Sequence, residues 1–274
     1  MSGKIYLVAT PIGNLEDITL RAINILKSVD IVAAEDTRHT LKLLNHLEIK
    51  KKLISYHRHN EEIKSDLLID YLLQEKNIAL VSDAGTPGIC DPGEEIIKKA
   101  IENNIEIIPI PGACALINAL ISSGLDTSEF AFYGFLPLNK KNRKEKLEEI
   151  KNENKTIILY EAPHKLLNTL NEIKNICGEN TNIVLAKELT KIHEQFIRGT
   201  IKNVIENLGE IKGEFIILIE GNKIKNNNDF ENINIDELFE KLKKEGLEKK
   251  EIIKKIAKIK NVNKNEIYQY FLNK

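Results

Sequence analysis

Short apolar runs rich in β-branched residues alternate with amphipathic stretches of helical period through the first 220 or so residues. A strand followed by a covering helix, repeated, leaves few architectures open. It predicts a mostly parallel sheet with helices on both faces. The patterns place strands over 4–9, 30–34, 52–55, 78–82 and 105–108, with helices over 19–29, 38–47, 61–75 and 94–103. In the first helix Leu20, Ile23 and Leu26 fall on one face. A Gly/Pro break at 109–112 and a helix near 113–123 open a second series. Its strands are expected over 130–135, 156–160, 182–186, 193–199 and 214–220, and its helices near 141–151, 164–176 and 201–208. The last strands follow one another closely, so this second sheet is expected to be mixed. The fold class is therefore α/β, with a mostly parallel sheet over 1–112 and a mixed sheet over 113–222.

The segment NKIKNNNDFENIN (222–234) is polar and Asn-rich and reads as a linker to a small helical module over 230–274. Asn234-x-x-Glu237 and Asn263-x-x-Glu266 resemble capping boxes, and Leu247, Ile252, Ile253 and Ile256 form an apolar face. Three short helices with a tight turn at 261–263 resemble a winged-helix or helix-turn-helix module. The chain carries a formal charge of −1. Residues 241–274 carry +7 and the rest −8. A basic tail on an acidic body hints at an electrostatic module, although Lys is abundant along the whole chain.

Three scattered cysteines, Cys90, Cys114 and Cys177, argue against a disulfide framework or a zinc site, and no His spacing suits a metal. The start MSGKIYLVATP reads as a first strand and not a signal peptide, and no run is long enough to span a bilayer. A cytoplasmic protein without metal is expected.

Three loops carry the functional signal: ATPIGNLED (9–17), SDAGTPGICDPG (82–93) and PIPGACA (109–115), each just after an expected strand. In open α/β sheets ligands bind beyond the carboxyl ends of strands. Glycine lets main chain approach a ligand and proline fixes its shape. One such loop could equally be an ordinary strand-to-helix turn. Three together point to a cleft lined largely by main chain. A G-x-G-x-x-G after the first strand, a phosphate-binding G-x-x-x-x-G-K-[ST] and a G-x-S-x-G elbow are all missing from the sequence.

These loops, with AAEDTRHTLKLL, SYHRHNE, FYGFLP, YEAPHKL, AKELTKIHEQFIRGT and GEFIILIEG, resemble in order the signatures of the ribosomal RNA cytidine-2′-O-methyltransferases of the tetrapyrrole-methylase superfamily, from about residue 4 to 221. The resemblance implies two α/β domains with S-adenosylmethionine, the methyl donor, in the cleft between them, 16S ribosomal RNA or the small ribosomal subunit as substrate, and a homodimer. It places the donor against Thr10 and Pro11, against Asp83, Gly85, Thr86, Pro87, Gly88 and Ile89, and against Gly112, Ala113, Cys114 and Ala115. Tyr160, Glu161 and Ala162 complete this set with Gly213, Glu214 and Phe215. Gly213 reads equally well as a strand start.

Methylation of a sugar hydroxyl rests mostly on positioning, helped by a general base. Candidates for this chemistry are Glu35, Asp36 and Arg38 after one strand, and Lys187 and Glu188 after another. Helix capping by Asp36 with a surface ion pair is the plain alternative for the first group. RNA contacts are expected at Arg21, His39, His57, Arg58 and Arg198, and at Lys249, Lys250, Lys254, Lys255 and Lys258 of the tail. Arg198 reads equally as a solvated strand residue, and the tail lysines as a solvated helix face. Two other functions compete: methylation of a tetrapyrrole, corrin precursor or other small molecule on the same fold, and a non-enzymatic RNA-binding assembly factor.

Overall fold

The computed structural model describes residues 2–222, 234–244, 247–260 and 262–272. The chain divides into two compact units, Met1–Lys151 with Thr156–Glu220, and Asn152–Lys155 with Gly221–Lys274.

The larger unit holds two five-stranded sheets. The first is built from β1 (Ile5–Val8), β2 (Ile31–Ala34), β3 (Lys52–Ser55), β4 (Ile78–Val81) and β5 (Ile107–Ile110), in the order β3-β2-β4-β1-β5. Every pairing in it is parallel, as the strand–helix alternation predicts. Helices α1 (Leu20–Ser28) and α2 (Thr37–His46) pack on one face, where Leu26 and Leu44 meet Val8, Val32 and Val81. On the other face α3 (Glu61–Leu73) and α4 (Glu94–Glu102) contribute Leu68, Leu72 and Ile96 against Ile5, Ile78 and Leu80. Both faces are covered, so the central strands are apolar throughout and do not alternate.

The second sheet comprises β6 (Phe130–Phe135), β7 (Thr156–Glu161), β8 (Asn182–Lys187), β9 (Gln195–Thr200) and β10 (Phe215–Ile219), ordered β6-β7-β10-β8-β9. Only β6 and β7 run parallel, and β10 is antiparallel to both β7 and β8, so the sheet is mixed, as expected. Helix α5 (Ala115–Ser123) covers the face carrying Ile158, Val184, Ala186 and Ile216. Helices α6 (Lys140–Asn152), α7 (Pro163–Cys177) and α8 (Ile201–Glu206) cover the other face, around Leu159, Leu185 and Ile217.

Two details depart from the sequence reading. The fifth strand runs two residues later than expected and contains Pro109, from the segment read as a break. It is an edge strand, where a residue without an N–H is tolerated. Leu20, expected on the packed face of α1, is 80% exposed, and Ala22 and Leu26 carry that face. Thr19 caps the helix, accepting from the Ala22 N–H at 3.1 Å, so Leu20 falls in the first turn and points outward.

In the second unit α9 (Ile235–Lys244), α10 (Lys249–Ile259) and α11 (Lys264–Leu272) enclose a small core of Leu238, Leu242, Ile252, Ile253, Ile256 and Ile267. Asn234 and Asn263 cap their helices by accepting from Asp236 N–H and Asn265 N–H. The reciprocal capping box forms instead at Glu248 and Glu251. Lys249, Lys250, Lys254, Lys255 and Lys258 lie on the exposed side of α10. Most of the linker reading at 222–234, and the start of the 230–274 module, lie outside the described residues.

Candidate functional site

The carboxyl ends of β1, β4 and β5 open toward the second sheet. Because β10 runs antiparallel to β7 and β8, its first residue lies beside their last ones: Phe215 pairs with both Glu161 and Lys187. With Phe135 at the end of β6, ends of seven strands therefore meet around one cavity of about 380 Å³. That volume lies within the range of small-molecule sites.

Main chain shapes one wall. Thr10 and Gly85 exchange N–H···O bonds of 2.9 and 3.0 Å, joining the first two loops. The Thr10 hydroxyl donates to the Ser82 carbonyl at 3.2 Å, and the Thr86 hydroxyl donates to the Ala113 carbonyl at 3.1 Å, tying in the third loop. The three loops read from the sequence are thus one hydrogen-bonded assembly.

Of the residues expected at the donor, Gly85, Thr86, Ile89, Cys114, Ala115, Tyr160, Glu161, Ala162, Glu214 and Phe215 line the cavity. Thr10, Pro11, Asp83, Pro87, Gly88, Gly112, Ala113 and Gly213 stand behind this wall or beside it. Asp83 braces the first sheet: its Oδ1 accepts from the Asp36 N–H at 2.9 Å. Gly112 is a packing glycine, since a Cβ there would lie 2.8 Å from the Ala9 Cβ. Gly213 has φ +88°, and a Cβ would meet the Glu188 carboxylate at 2.3 Å, so its bareness makes room for that group.

The catalytic candidates separate by local bonding. Asp36 caps α2 and is held by Arg38 at 2.7 Å, and these hydrogen bonds bring its carboxyl down to about 2. This is the capping alternative stated above. Lys187 follows the cavity residue Ala186, and successive strand side chains point to opposite faces. Its Nζ accordingly donates to the Glu210 carbonyl at 2.9 Å, off the cavity wall. Burial pushes Glu188 upward, but the Glu214 N–H and Lys191, each at 2.9 Å, outweigh it and leave the carboxyl below its ordinary range. Glu188 and Thr190 both have positive φ, 51° and 65°, in a strained turn at the cavity edge. Glu35 is half-buried, and burial first, then Asp91 and Asp83, raise its carboxyl.

Among the expected RNA contacts, Arg21, His39 and Arg58 are exposed. Arg58 donates to the Cys90 carbonyl. His57 is held ahead of α3 by Asn60: its main-chain N–H donates to Asn60 Oδ1 at 2.8 Å, and its ring Nε2 lies 3.1 Å from Asn60 Nδ2. The Arg198 guanidinium closes the end of α5, donating to the Ser122 and Ser123 carbonyls at 2.5 and 3.1 Å, and stacks on Phe196.

Several wall residues were not singled out in the sequence: Ile12, Ala84, Cys90, Asp91, Phe135, Pro163, Ala186, Leu189 and Ile216. Cys90 and Asp91 belong to the second loop, and placement after β4 was the signal available for them. Phe135 and Tyr160 stack edge-on at 5.7 Å. Burial raises the Tyr160 hydroxyl above its ordinary range, with Cys114 and Cys90 adding to it, which keeps it neutral. Among the described residues no cluster of His, Cys, Asp and Glu suits a metal ion, and no helix is long and apolar enough to cross a membrane.

Comparison with known proteins gives consistent matches. The model of the tetrapyrrole (corrin/porphyrin) methylases matches residues 4–205. A protein of Halalkalibacterium halodurans named ribosomal RNA small subunit methyltransferase I is 48% identical, over 98% of this chain and 94% of its own. A Synechocystis protein of the same name is 47% identical, over 98% of each chain. The crystal structure of uroporphyrin-III C-methyltransferase from Thermus thermophilus, complexed with S-adenosylhomocysteine, superposes with a TM-score of 0.57 at 18% identity. It covers 81% of this chain and 99% of that one.

Proposed function

Because this chain belongs to the tetrapyrrole (corrin/porphyrin) methylases, and among them to the ribosomal RNA small subunit methyltransferase I family, we propose that it transfers a methyl group from S-adenosylmethionine to the ribose 2′-hydroxyl of a cytidine in 16S ribosomal RNA. The observation that carries this reading is identity of 48% over 98% of the chain to a relative of that name. Fold alone would not separate it from the small-molecule methylases, since one fold hosts many substrates.

The cavity suits the donor. Ile12, Leu189 and Ile216 offer apolar walls for a planar base, main chain at Gly85 and Cys114 offers polar edges, and Asp91 and Glu214 favour positive charge. When bound, S-adenosylmethionine supplies an electrophilic methyl on a sulfonium centre. The chain's part is to hold that methyl in line with the entering hydroxyl and to exclude water, and positioning of this kind supplies most of the acceleration. Asp83, which orders the adjoining loops through Asp36, belongs to the donor-holding set.

The test is direct. Calorimetric titration with S-adenosylmethionine should give one site per chain, and methylated small-subunit RNA should yield a 2′-O-methylcytidine on nuclease digestion and mass spectrometry. Asp83→Ala should weaken donor binding at least tenfold, about 1.4 kcal/mol. Affinity within about threefold of the parent would remove Asp83 from the site, and methylation of a base or a tetrapyrrole alone would remove the RNA ribose.

The same reading includes a cytoplasmic homodimer, working domain limits of 1–112, 113–222 and 230–274, and a docking role for the basic helices. Asn222 N–H donates to the Glu153 carbonyl, so a truncation is best placed after Asn222. The shortened chain should bind the donor as the parent does and RNA more weakly. The gap should narrow as salt rises, because lysine–phosphate attraction depends on counterion release. Unchanged RNA affinity at both low and high salt would overturn the docking role.

A further inference from the structure

Phenylalanine side chains are usually interior, yet Phe135 is 59% exposed while it lines the cavity. Its placement follows from an irregular strand. β6 is an edge strand paired only with β7, and its register shifts between Phe132 and Gly134, which leaves Tyr133 as an extra residue. Strand side chains alternate between faces, so without that extra residue Phe132 and Phe135 would point to opposite faces. With it, both rings meet Tyr160 edge-on, at 5.0 and 5.7 Å. Gly134 has φ +62°, and a Cβ there would lie 3.1 Å from the Cys90 Sγ, so a bare residue lets the end of β6 come up to the second loop. Arg58, exposed on the β3–α3 connection, donates to the Cys90 carbonyl. An open aromatic ring and a guanidinium thus both adjoin Cys90.

Resting on the RNA methyltransferase reading above, we propose that Phe135 is the residue on which the base of the methylated nucleotide stacks. The acceptor hydroxyl must reach a methyl held inside the cavity, and its base is tied to the same ribose. That base therefore lies at the open part of the wall. Of the wall's aromatic rings, Phe215 is 3% exposed and Tyr160 is half-buried, which leaves Phe135 as the accessible one. The donor's own base has apolar walls at Ile12, Leu189 and Ile216. Splayed-out bases of single-stranded RNA are held in this way, on aromatic rings, with cations such as Arg58 for the backbone phosphates. Every base has a π-face, so the contact secures the nucleotide and does not choose its identity.

The sequence contains no tryptophan, so Phe135→Trp gives the full-length chain a single indole at the contact and keeps a stacking surface. Phe135→Leu keeps an apolar side chain and removes the ring. The Leu variant is expected to lose about 5- to 150-fold in kcat/KM for small-subunit RNA, the equivalent of the ~1–3 kcal/mol that stacking of one base is worth. Its calorimetric affinity for S-adenosylmethionine and its urea midpoint should match the parent's, and the Trp variant should retain the parent's activity. Indole emission of the Trp variant should be quenched by a short RNA carrying the methylated cytidine, and not by S-adenosylhomocysteine alone. The same RNA with that cytidine's base removed should fail to quench, and parent and Leu variant should bind it equally. A Leu variant with the parent's kcat/KM, a loss confined to donor affinity, quenching by S-adenosylhomocysteine alone, or undiminished quenching by the abasic RNA would each overturn the assignment. A parent that binds the donor but methylates no ribose hydroxyl would overturn the broader reading and this proposal with it, while an active parent with an equally active Leu variant overturns only this proposal.

Discussion

Gly112→Val is expected to cripple folding before it touches ligand binding. Any side chain at this position begins with a Cβ 2.8 Å from the Ala9 Cβ, and Ala9 is 2% exposed just after the inner strand β1. A methyl fixed to the main chain has no rotamer with which to retreat, so the third loop must move away from the first. Overpacking of this sort costs about 1–3 kcal/mol, and valine, being branched, belongs at or above the upper end. Gly112→Ala isolates the first contact. It should lower the urea midpoint with an unchanged slope, and the double variant Ala9→Gly/Gly112→Ala should recover much of the loss, giving a clear coupling in the cycle. If Gly112→Ala is as stable as the parent, the close approach of the two loops is not what selects glycine here.

The second large effect is expected at Glu161, and it too separates stability from chemistry. Its buried carboxylate orders the start of α7 through the Ala162 N–H and bonds the Thr169 hydroxyl, which Arg143 also reaches at 2.6 Å. Arg143 keeps a second partner in Glu172 at 2.7 Å, so removal of Glu161 does not strand the guanidinium. Glu161→Ala should therefore cost about 3 kcal/mol, from two hydrogen bonds to a charged group at roughly 1.5 kcal/mol each. Glu161→Gln retains an acceptor and should lose about half of that. Because Tyr160 and Ala162 flank this residue on the cavity wall, donor affinity should fall in parallel with stability. An Ala variant within about 0.5 kcal/mol of the parent in denaturant would show that the network contributes little.

Both residues were singled out from the sequence for contact with a ligand, and both have a structural task as well. The reason is general to a site built from loops. Glycine and proline mark where main chain must bend or approach, and so 9–17, 82–93 and 109–115 were legible as one end of a sheet. Whether a given glycine faces ligand or neighbouring chain depends on the spacing between loops, which no local pattern encodes. The same limit explains Lys187. It follows its strand as expected, but the register of β8 turns Ala186 to the cavity and Lys187 away. Arg198 is bound to the end of a helix 75 residues earlier. The fold was easier to read than the site because alternation is a repeated local signal. It failed at Pro109, where edge position overrides the rule that proline ends a strand.

The order of strands in the second sheet has a consequence for how the protein comes into being. β10, the last strand among the described residues to join a sheet, lies at the centre of its own, between β7 and β8. Until residues 215–219 leave the ribosome, the other strands cannot take up their final order, and β7 and β8 each present a bare hydrogen-bonding edge. The first sheet has no such delay once β5 is made. The growing chain thus carries half a cleft through the synthesis of about a hundred residues. Its exposed apolar strands depend on neighbours or chaperones during that interval. Only the arrival of one five-residue segment turns the nascent chain into something able to hold a ligand.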